Sequence, residues 1–209
     1  ADTLEQAEHA LDLIEVHYEE LPAVFDPEAA LQEGAPIIHP YVGSYKGLPK
    51  PLDAPTNRFA HDVFNRGDVD AGFAQADVIV ENAFTVARVH QAFLEPHCCL
   101  AWIDEQQRVQ MWSPNKAPQG LRESMCNAFG IAPEKVCIHP VAIGGDFGGK
   151  GAPVDEPICY LLALRSGRPV KMIMEYREEF IASAPRHAAV MRLKTGVKRD
   201  GTIVAHQMD

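Results

Sequence analysis

The chain has 209 residues, of which 46% are hydrophobic and 23% are charged, as in globular proteins with one or two domains and a sizeable core. Its formal net charge of −10 excludes a nucleic-acid-binding protein, because phosphate binding needs a basic stripe and none is present. No apolar run approaches the roughly 20 residues of a membrane span, and no signal segment opens the sequence, so we expect no membrane partner.

The five cysteines are an odd number without a C-x-x-C pair, which excludes a zinc knuckle and an iron–sulfur run. We expect reduced and mostly buried thiols, which favours a cytoplasmic protein. The run His97-Cys98-Cys99 permits a metal site, but neighbouring residues of a strand point to opposite faces. Core packing is therefore the favoured interpretation, and no metal held by protein side chains is predicted.

The first 60 residues predict few regular elements. Apolar residues spaced by three and four predict a helix from Thr3 to Leu13, and alternation from Ile14 to Tyr18 predicts a half-buried strand. These two elements cannot form a domain alone, so residues 1–24 are interpreted as the end of a preceding domain. Residues 25–60 begin with a short helical turn and continue with five prolines and three glycines, which predicts an extended linker.

Residues 61–209 alternate between helical and strand patterns. Because hairpins replace a regular βαβ alternation, the fold class predicted is α+β with mixed sheets. The predicted elements are a turn at Gly67–Phe73 that leads to a short helix, a strand at Val78–Val86, a hairpin of Cys99–Ile103 with Val109–Trp112, a helix at Pro118–Phe129, a strand at Val136–Ile143, a helix at Pro157–Ser166, a strand at Val170–Met174, and a hairpin of Ala189–Val197 with Ile203–Ala205.

The stretch from Gly144 to Gly151 holds five glycines and one lysine between a predicted strand and a predicted helix. Such a cluster indicates positive φ angles or a close approach, and the N–H groups of a loop and a helix N-terminus can face an anion. A phosphate-binding P-loop is a weak alternative, because Gly151 stands where the Mg²⁺-binding Ser or Thr is needed. A tight turn that needs glycine for packing space is a further alternative.

The residues alone show no catalytic set, since there is no nucleophile elbow, no closely spaced carboxylate pair and no G-x-G-x-x-G. A cofactor cradle or a non-catalytic binding module both remain open. The loop Gly144–Lys150 resembles the Gly-Gly-Gly-Phe-Gly-Gly-Lys loop of the molybdenum-binding subunit in the xanthine dehydrogenase, aldehyde oxidase and carbon monoxide dehydrogenase family. Further segments resemble that family in the same order: Leu21–Val24, Arg88–Pro96, Ser166–Lys171, Arg177–Glu179 and Arg186-His187.

The resemblance implies a molybdopterin cofactor, in its plain form or as the cytosine dinucleotide, whose dithiolene sulfurs hold the molybdenum. It implies oxidation of a C–H bond in an aldehyde, N-heterocycle or related small molecule, with water as the oxygen source. The [2Fe-2S] clusters and FAD are expected on partner domains or subunits. The cofactor-binding residues carried over are Gly144, Gly145, Asp146, Phe147, Gly148 and Gly149, with Gln91 as a weaker candidate.

Three positions depart from the family pattern. Asp146 replaces a glycine of the loop, Gly151 replaces a glutamate that helps to orient substrate, and Val89 stands where a glutamine contacts the apical oxygen. Glu95 matches a Leu-Glu-Pro signature, for which we expect a structural role. The resemblance places the catalytic base in sequence beyond residue 209, so no catalytic residue is assigned and this chain alone is expected to be inactive. It further implies that residues 1–24 end an α/β hammerhead domain and that residues 61–209 begin the molybdopterin-binding domain.

Overall fold

The computed structural model describes residues 1–45 and 55–209, so the middle of the predicted linker lies outside the described residues. The chain forms two compact units, the first made of residues 1–81 and 193–209 and the second of residues 82–192. Two three-residue 3₁₀ turns, at Ala29–Leu31 and Val42–Ser44, interrupt the described part of the linker. In the described residues no helix is both long and apolar enough to cross a membrane.

The first unit opens with the predicted helix, α1 (Leu4–Asp12), at whose N-terminus the Thr3 hydroxyl accepts a hydrogen bond from the Gln6 amide. The strand predicted from Ile14 to Tyr18 is wrong. These residues have no regular structure, and the Tyr18 side chain is 86% exposed. An alternating segment becomes a strand only when another strand pairs with it, and no described strand does so here.

A short helix and most of a hairpin belong to the first unit, whose boundaries at residues 81 and 193 fall within two strands of a three-stranded sheet. The strands β1 (Val78–Val86), β6 (Ala189–Val197) and β7 (Ile203–Met208) pair in the order β1-β6-β7, and β6 and β7 are antiparallel. Helix α2 (Val69–Ala74) packs on β7 through Gly72, where a Cβ atom would lie 2.5 Å from the Val204 carbonyl oxygen. Only glycine permits this close approach.

The second unit is built on a four-stranded sheet in the order β4-β3-β2-β5. Strands β2 (Cys98–Ile103) and β3 (Val109–Ser113) form the predicted hairpin, β4 (Val136–Pro140) runs parallel to β3, and β5 (Val170–Ile173) runs antiparallel to β2. Alternate residues of these strands form one core with helices α3 (Pro118–Phe129) and α4 (Glu156–Ser166), and the buried members are Cys99, Ala101, Val109, Met111, Leu121, Met125, Val136, Cys159, Tyr160 and Ala163.

The predicted α+β class with mixed sheets is confirmed, and a last helix, α5 (Tyr176–Ala182), follows β5. Strand β4 ends at Pro140 instead of Ile143, and α4 begins at Glu156. The glycine-rich stretch therefore belongs to a connection of 15 residues, 141–155, that leaves the end of β4. All five cysteines are free thiols.

Candidate functional site

The centre of the glycine-rich loop is an exposed peptide in a left-handed conformation. Phe147 has φ 45° and Gly148 has φ 98°. A non-glycine residue in this region costs about 1–3 kcal/mol and persists only when its surroundings hold it. The Phe147 side chain is 64% exposed, so it is not a core residue, and nothing lies within 4 Å of a Cβ atom built on Gly148. The main chain of the Phe147–Gly148 peptide is thus exposed to solvent on the side where a Gly148 side chain would lie.

Asp146 holds this loop from within. One carboxylate oxygen accepts from the Lys150 amide at 2.6 Å, and the other accepts from the Gly148 amide at 3.1 Å and the Lys116 ammonium at 3.0 Å. Partial burial raises the pKa of Asp146, but the Lys150 amide, the Lys116 ammonium and the Gly148 amide outweigh burial, and the net pKa is lowered. The residue that departs from the family's glycine therefore fixes the loop as a carboxylate.

A buried ion pair anchors both ends of the loop to the segment before β2. The Lys150 side chain is 1% exposed and its ammonium donates to Glu95 Oε2 at 2.6 Å. The same oxygen accepts from the Gly144 amide at 2.8 Å, and the Glu95 amide donates to the Gly144 carbonyl at 3.2 Å. The structural role expected for Glu95 is thereby explained. The P-loop alternative is not supported, because the lysine that would bind phosphate is buried against a carboxylate.

Phe93 is the apolar base beneath the loop. Its ring is 1% exposed and lies 4.7 Å from the Lys150 ammonium, a cation–π contact. A Cβ atom on Gly145 would lie 2.8 Å from Phe93 Cβ, and one on Gly149 would lie 2.8 Å from Phe93 Cε1. Gly145 and Gly149 therefore fit the alternative interpretation, in which glycine is needed because a side chain would clash with its neighbours. It does not hold at Gly148, which faces open space.

The structure brings Gln91 to this loop as well. Its side-chain nitrogen, Nε2, donates to the Ala184 carbonyl at 3.1 Å, and its side-chain oxygen, Oε1, would lie 3.2 Å from a Cβ atom on Gly149. That oxygen is buried, and within the described part of the chain it has no hydrogen-bond partner. A buried acceptor without a donor costs about 1–3 kcal/mol, so it marks a place where a ligand N–H or O–H group, or a water molecule, is expected.

Arg186 is not among the predicted site residues, although Arg186-His187 is one of the segments that resemble the family. Its backbone pairs with Val89, and its guanidinium donates to the Phe147 carbonyl at 3.0 Å. Arg186 therefore binds the carbonyl of the strained Phe147–Gly148 peptide, and Asp146 binds its N–H group. No local sequence pattern predicts this contact, because Arg186 and Phe147 are 39 positions apart in the chain.

Behind Phe93 lies a buried carboxylate, Glu179, which is 0% exposed. It accepts from the His97 amide at 2.6 Å, from His97 Nδ1 at 2.8 Å and from His90 Nε2 at 3.2 Å. Burial raises the pKa of Glu179, but the bonds from His97 and His90 outweigh burial and lower it. Both imidazole rings pack against Phe93, with centroids 5.1 and 5.6 Å away. Glu179 lies in the first turn of α5, where a negative charge interacts favourably with the helix dipole. In the structure its main role is to bind the two histidines that pack against Phe93.

The predicted anion site at the N-terminus of α4 is not supported. Glu156 and Asp155 are each 1% exposed there, and Glu156 accepts from the Ser113 hydroxyl at 2.8 Å and the Val154 amide at 2.9 Å. Burial and the neighbouring Glu156 raise the pKa of Asp155. The chain's own carboxylates thus occupy the helix N-terminus. Among residues 1–45 and 55–209, no cluster of three or more His, Cys, Asp or Glu side chains could hold a metal ion.

Comparison with known proteins gives one family throughout. Residues 51–209 match the family described as the molybdopterin cofactor-binding domain. The chain is 32% identical to a probable hypoxanthine oxidase of Escherichia coli K12 and 31% identical to the large molybdopterin subunit of nicotinate dehydrogenase from Eubacterium barkeri. All of the chain is covered in both alignments, but only 24% and 46% of those relatives. The chain therefore spans about a quarter to a half of the length of these relatives.

Solved structures agree with the sequence relatives. Aldehyde oxidoreductase from Desulfovibrio gigas superimposes with a TM-score of 0.82 at 27% identity, over 100% of this chain and 22% of that one. A carbon monoxide dehydrogenase from Oligotropha carboxidovorans gives a TM-score of 0.82 at 26% identity, over 98% and 26% of the two chains. The chain belongs to the molybdopterin cofactor-binding domain family of xanthine dehydrogenases, aldehyde oxidoreductases and carbon monoxide dehydrogenase large chains.

Proposed function

We propose that this chain binds the molybdopterin cofactor through the exposed main chain of the glycine-rich loop. One observation carries the proposal: the Phe147–Gly148 peptide is exposed and strained, yet Asp146 accepts from its N–H group and Arg186 donates to its carbonyl. A strained peptide that the surrounding structure maintains, while nothing in the described part of the chain packs on its outer face, is typical of a pre-organised ligand site.

The residues present fit such a cofactor on two counts. The main chain of the loop is open to solvent at Gly148, where no side chain stands in the way, and the buried side-chain carbonyl oxygen of Gln91 has no donor among the described residues. A pterin carries N–H groups that could supply that donor. When bound, the cofactor supplies the redox chemistry, namely oxidation of a C–H bond of an aldehyde, N-heterocycle or related small molecule with water as the oxygen source.

The chain's own residues position the cofactor, and we assign none of them a catalytic role. Glu95 and Lys150 hold the loop against Phe93, while Asp146 and Arg186 fix the conformation of its central peptide. Because a cofactor of this size needs several convergent groups, one loop does not hold it alone. We therefore propose that the 209-residue chain by itself is inactive and acts within a larger subunit.

The assembly follows from the same family membership. We propose partners that carry [2Fe-2S] clusters and FAD, on other domains or subunits, together with the remaining part of a large molybdopterin subunit. The cofactor is proposed in its plain form or as the cytosine dinucleotide. We further propose a cytoplasmic location, and an arrangement in which residues 1–24 end a hammerhead domain, 25–60 are a linker and 61–209 begin the molybdopterin-binding domain.

Elemental analysis tests this proposal most directly. The chain would be produced within the complete large subunit and with its iron–sulfur partner, and molybdenum and pterin would be measured per protein molecule. We expect one molybdenum and one pterin per large subunit, and reduction of a dye with at least one substrate from a panel of aldehydes and N-heterocycles. Folded protein that contains neither molybdenum nor pterin would favour a non-catalytic binding module instead.

A further inference from the structure

We propose that Lys116 is a specificity-determining residue that favours substrates bearing an anionic group, such as a carboxylate. The inference rests on the proposed function, because it places Lys116 beside the loop that holds the cofactor. Its evidence is separate, however, and comes from the position, exposure and charge of one side chain at that loop. A neutral substrate of the same shape gains nothing from this ammonium, so the two substrate classes are distinguishable.

Lys116 is attached to the loop through both its main chain and its side chain. Its main-chain amide donates to the Lys150 carbonyl at 3.0 Å, and its ammonium donates to Asp146 Oδ2 at 3.0 Å. That same oxygen accepts from the Gly148 amide at 3.1 Å. The ammonium and the exposed Phe147–Gly148 peptide are therefore arranged around a single oxygen atom. A group that approaches this peptide from solvent meets the ammonium close by.

Gly151 provides the space that Lys116 occupies. A Cβ atom on Gly151 would lie 2.9 Å from Lys116 Cε, so any side chain at position 151 would push the lysine stem away. The resemblance leads us to expect a glutamate at this position. Its absence removes a negative side chain, and the freed space is filled by a positive one. Asp146 adds one carboxylate where the resembling loop has a glycine, so the number of carboxylates is unchanged and the Lys116 ammonium is the positive group that an anion meets here.

Lys116 keeps binding capacity beyond its bond to Asp146. An ammonium has three N–H donors, one of which is directed to Asp146, and the Lys116 side chain is 44% exposed. Asp146 is also bound by the Lys150 and Gly148 amides, so it does not depend on Lys116 alone. Arg186 adds a second positive charge, because it donates to a neutral carbonyl of the same loop. With the Lys150–Glu95 pair included, three cations and two carboxylates hold this loop, in a chain of net charge −10.

The test compares substrates that differ only in charge. The assembled enzyme would be assayed with nicotinate against nicotinamide and with 4-formylbenzoate against 4-formylbenzamide. In Lys116→Met we expect kcat/KM for the carboxylate member to fall about tenfold, mainly through KM, since a bond to a charged group is lost. The ratio of kcat/KM for the carboxylate member to that for the neutral member should fall about tenfold whatever the change in the neutral member, and Lys116→Arg should retain the preference. Added salt should weaken the preference of the unaltered enzyme.

Lys135→Met is the matched control, because it also removes one positive charge and its ammonium is bound to the Gln106 carbonyl, in the β2–β3 turn. We expect it to leave the carboxylate preference unchanged. Molybdenum content and melting temperature would be recorded for every variant, and Lys116→Gln would replace Lys116→Met if the latter folds poorly. A molybdenum-loaded Lys116→Met enzyme with an unchanged carboxylate-to-neutral ratio would overturn the inference.

A binding measurement separates this inference from the proposed function. Calorimetric titration of the same protein with benzoate needs no turnover, and we expect binding that Lys116→Met weakens about tenfold and Lys135→Met does not. If the protein holds no molybdenum but this difference is found, the proposed function fails and the anion-selecting role of Lys116 stands. If benzoate does not bind, or binds both variants equally, the role of Lys116 is refuted whatever the molybdenum content.

Discussion

Replacing Glu95 by glutamine tests whether the buried ion pair holds the glycine-rich loop. Glu95→Gln keeps the size and one acceptor oxygen, but it leaves the Lys150 ammonium, 1% exposed, without a counter-charge. Removing one partner of a buried pair costs about 3–5 kcal/mol. The Glu95 side chain is 32% exposed, so solvent reduces this cost, and we expect unit 2 to lose about 2–3 kcal/mol of unfolding free energy.

The assay is chemical unfolding followed by tryptophan fluorescence. Both tryptophans of the chain, Trp102 and Trp112, lie on strands β2 and β3, so the signal reports on unit 2. In thermal unfolding the same loss corresponds to a melting temperature lower by roughly 5–10 °C. In the double variant Glu95→Gln/Lys150→Met neither partner of this pair is charged, so no unpaired ammonium is left buried at the loop. We expect the double variant to recover about 1–2 kcal/mol of the lost unfolding free energy.

An exposed ion pair of the same residue types supplies the control. Glu81 and Lys194 lie 2.9 Å apart in unit 1 with side chains 65% and 39% exposed, so Glu81→Gln should cost less than about 1 kcal/mol. Because the tryptophans lie in unit 2, unfolding of both variants would be compared by far-ultraviolet circular dichroism, which reports on both units. The reasoning fails if Glu95→Gln costs no more than Glu81→Gln. It also fails if adding Lys150→Met lowers stability further, because Lys150 would then contribute by packing rather than by its charge.

Three further variants probe other supports of the loop. Gly148→Val should lower the molybdenum content of the assembled enzyme at least about tenfold. Gly201→Val is the control, because Gly201 has a similar φ of 90° and equally open surroundings, so the variant carries similar backbone strain without this loss. Equal molybdenum contents in the two variants would contradict contact between the cofactor and the main chain at Gly148. Glu179 has a lowered pKa, so its stabilisation is present above the unfolded pKa near 4.3 and is lost as pH falls below it; Glu179→Gln should flatten that acid dependence in pH-dependent unfolding, and an unchanged slope would contradict it. Arg186→Met should cost about 0.5–1.5 kcal/mol and speed hydrogen exchange at the Gly148 and Gly149 amides; unchanged exchange would show that the Phe147 carbonyl needs no anchor.

Local chemistry determines most of the regular elements of this chain. Pro118 at the first turn and Gly130 with φ 65° bound helix α3 where the sequence predicts, and Asp200-Gly201 makes the predicted hairpin turn. Each signal acts within a few residues, since it depends on a fixed φ, a missing N–H or a permitted left-handed conformation. The same is true of the glycine-rich stretch, whose composition indicates positive φ angles.

Contacts between distant residues are decided by the tertiary structure. Glu95 and Lys150 are 55 residues apart and Glu179 and His97 are 82 apart, so no periodicity links them. The segment from Ile14 to Tyr18 has a strand pattern, yet it forms no strand because a strand needs a partner, which local sequence does not provide.

The glycine-rich stretch is visible in the sequence, because a run of glycines around one aromatic is a local pattern, and the resemblance makes its six residues the candidate site. What holds them cannot be found in this way. The supports are side chains from other parts of the chain, and an isolated lysine or glutamate in a sequence is ordinarily expected at the surface. Only the packing around Phe93 buries Lys150 and Glu179, and burial converts these charges from solvated groups into fixed hydrogen-bonding partners of the loop and its base.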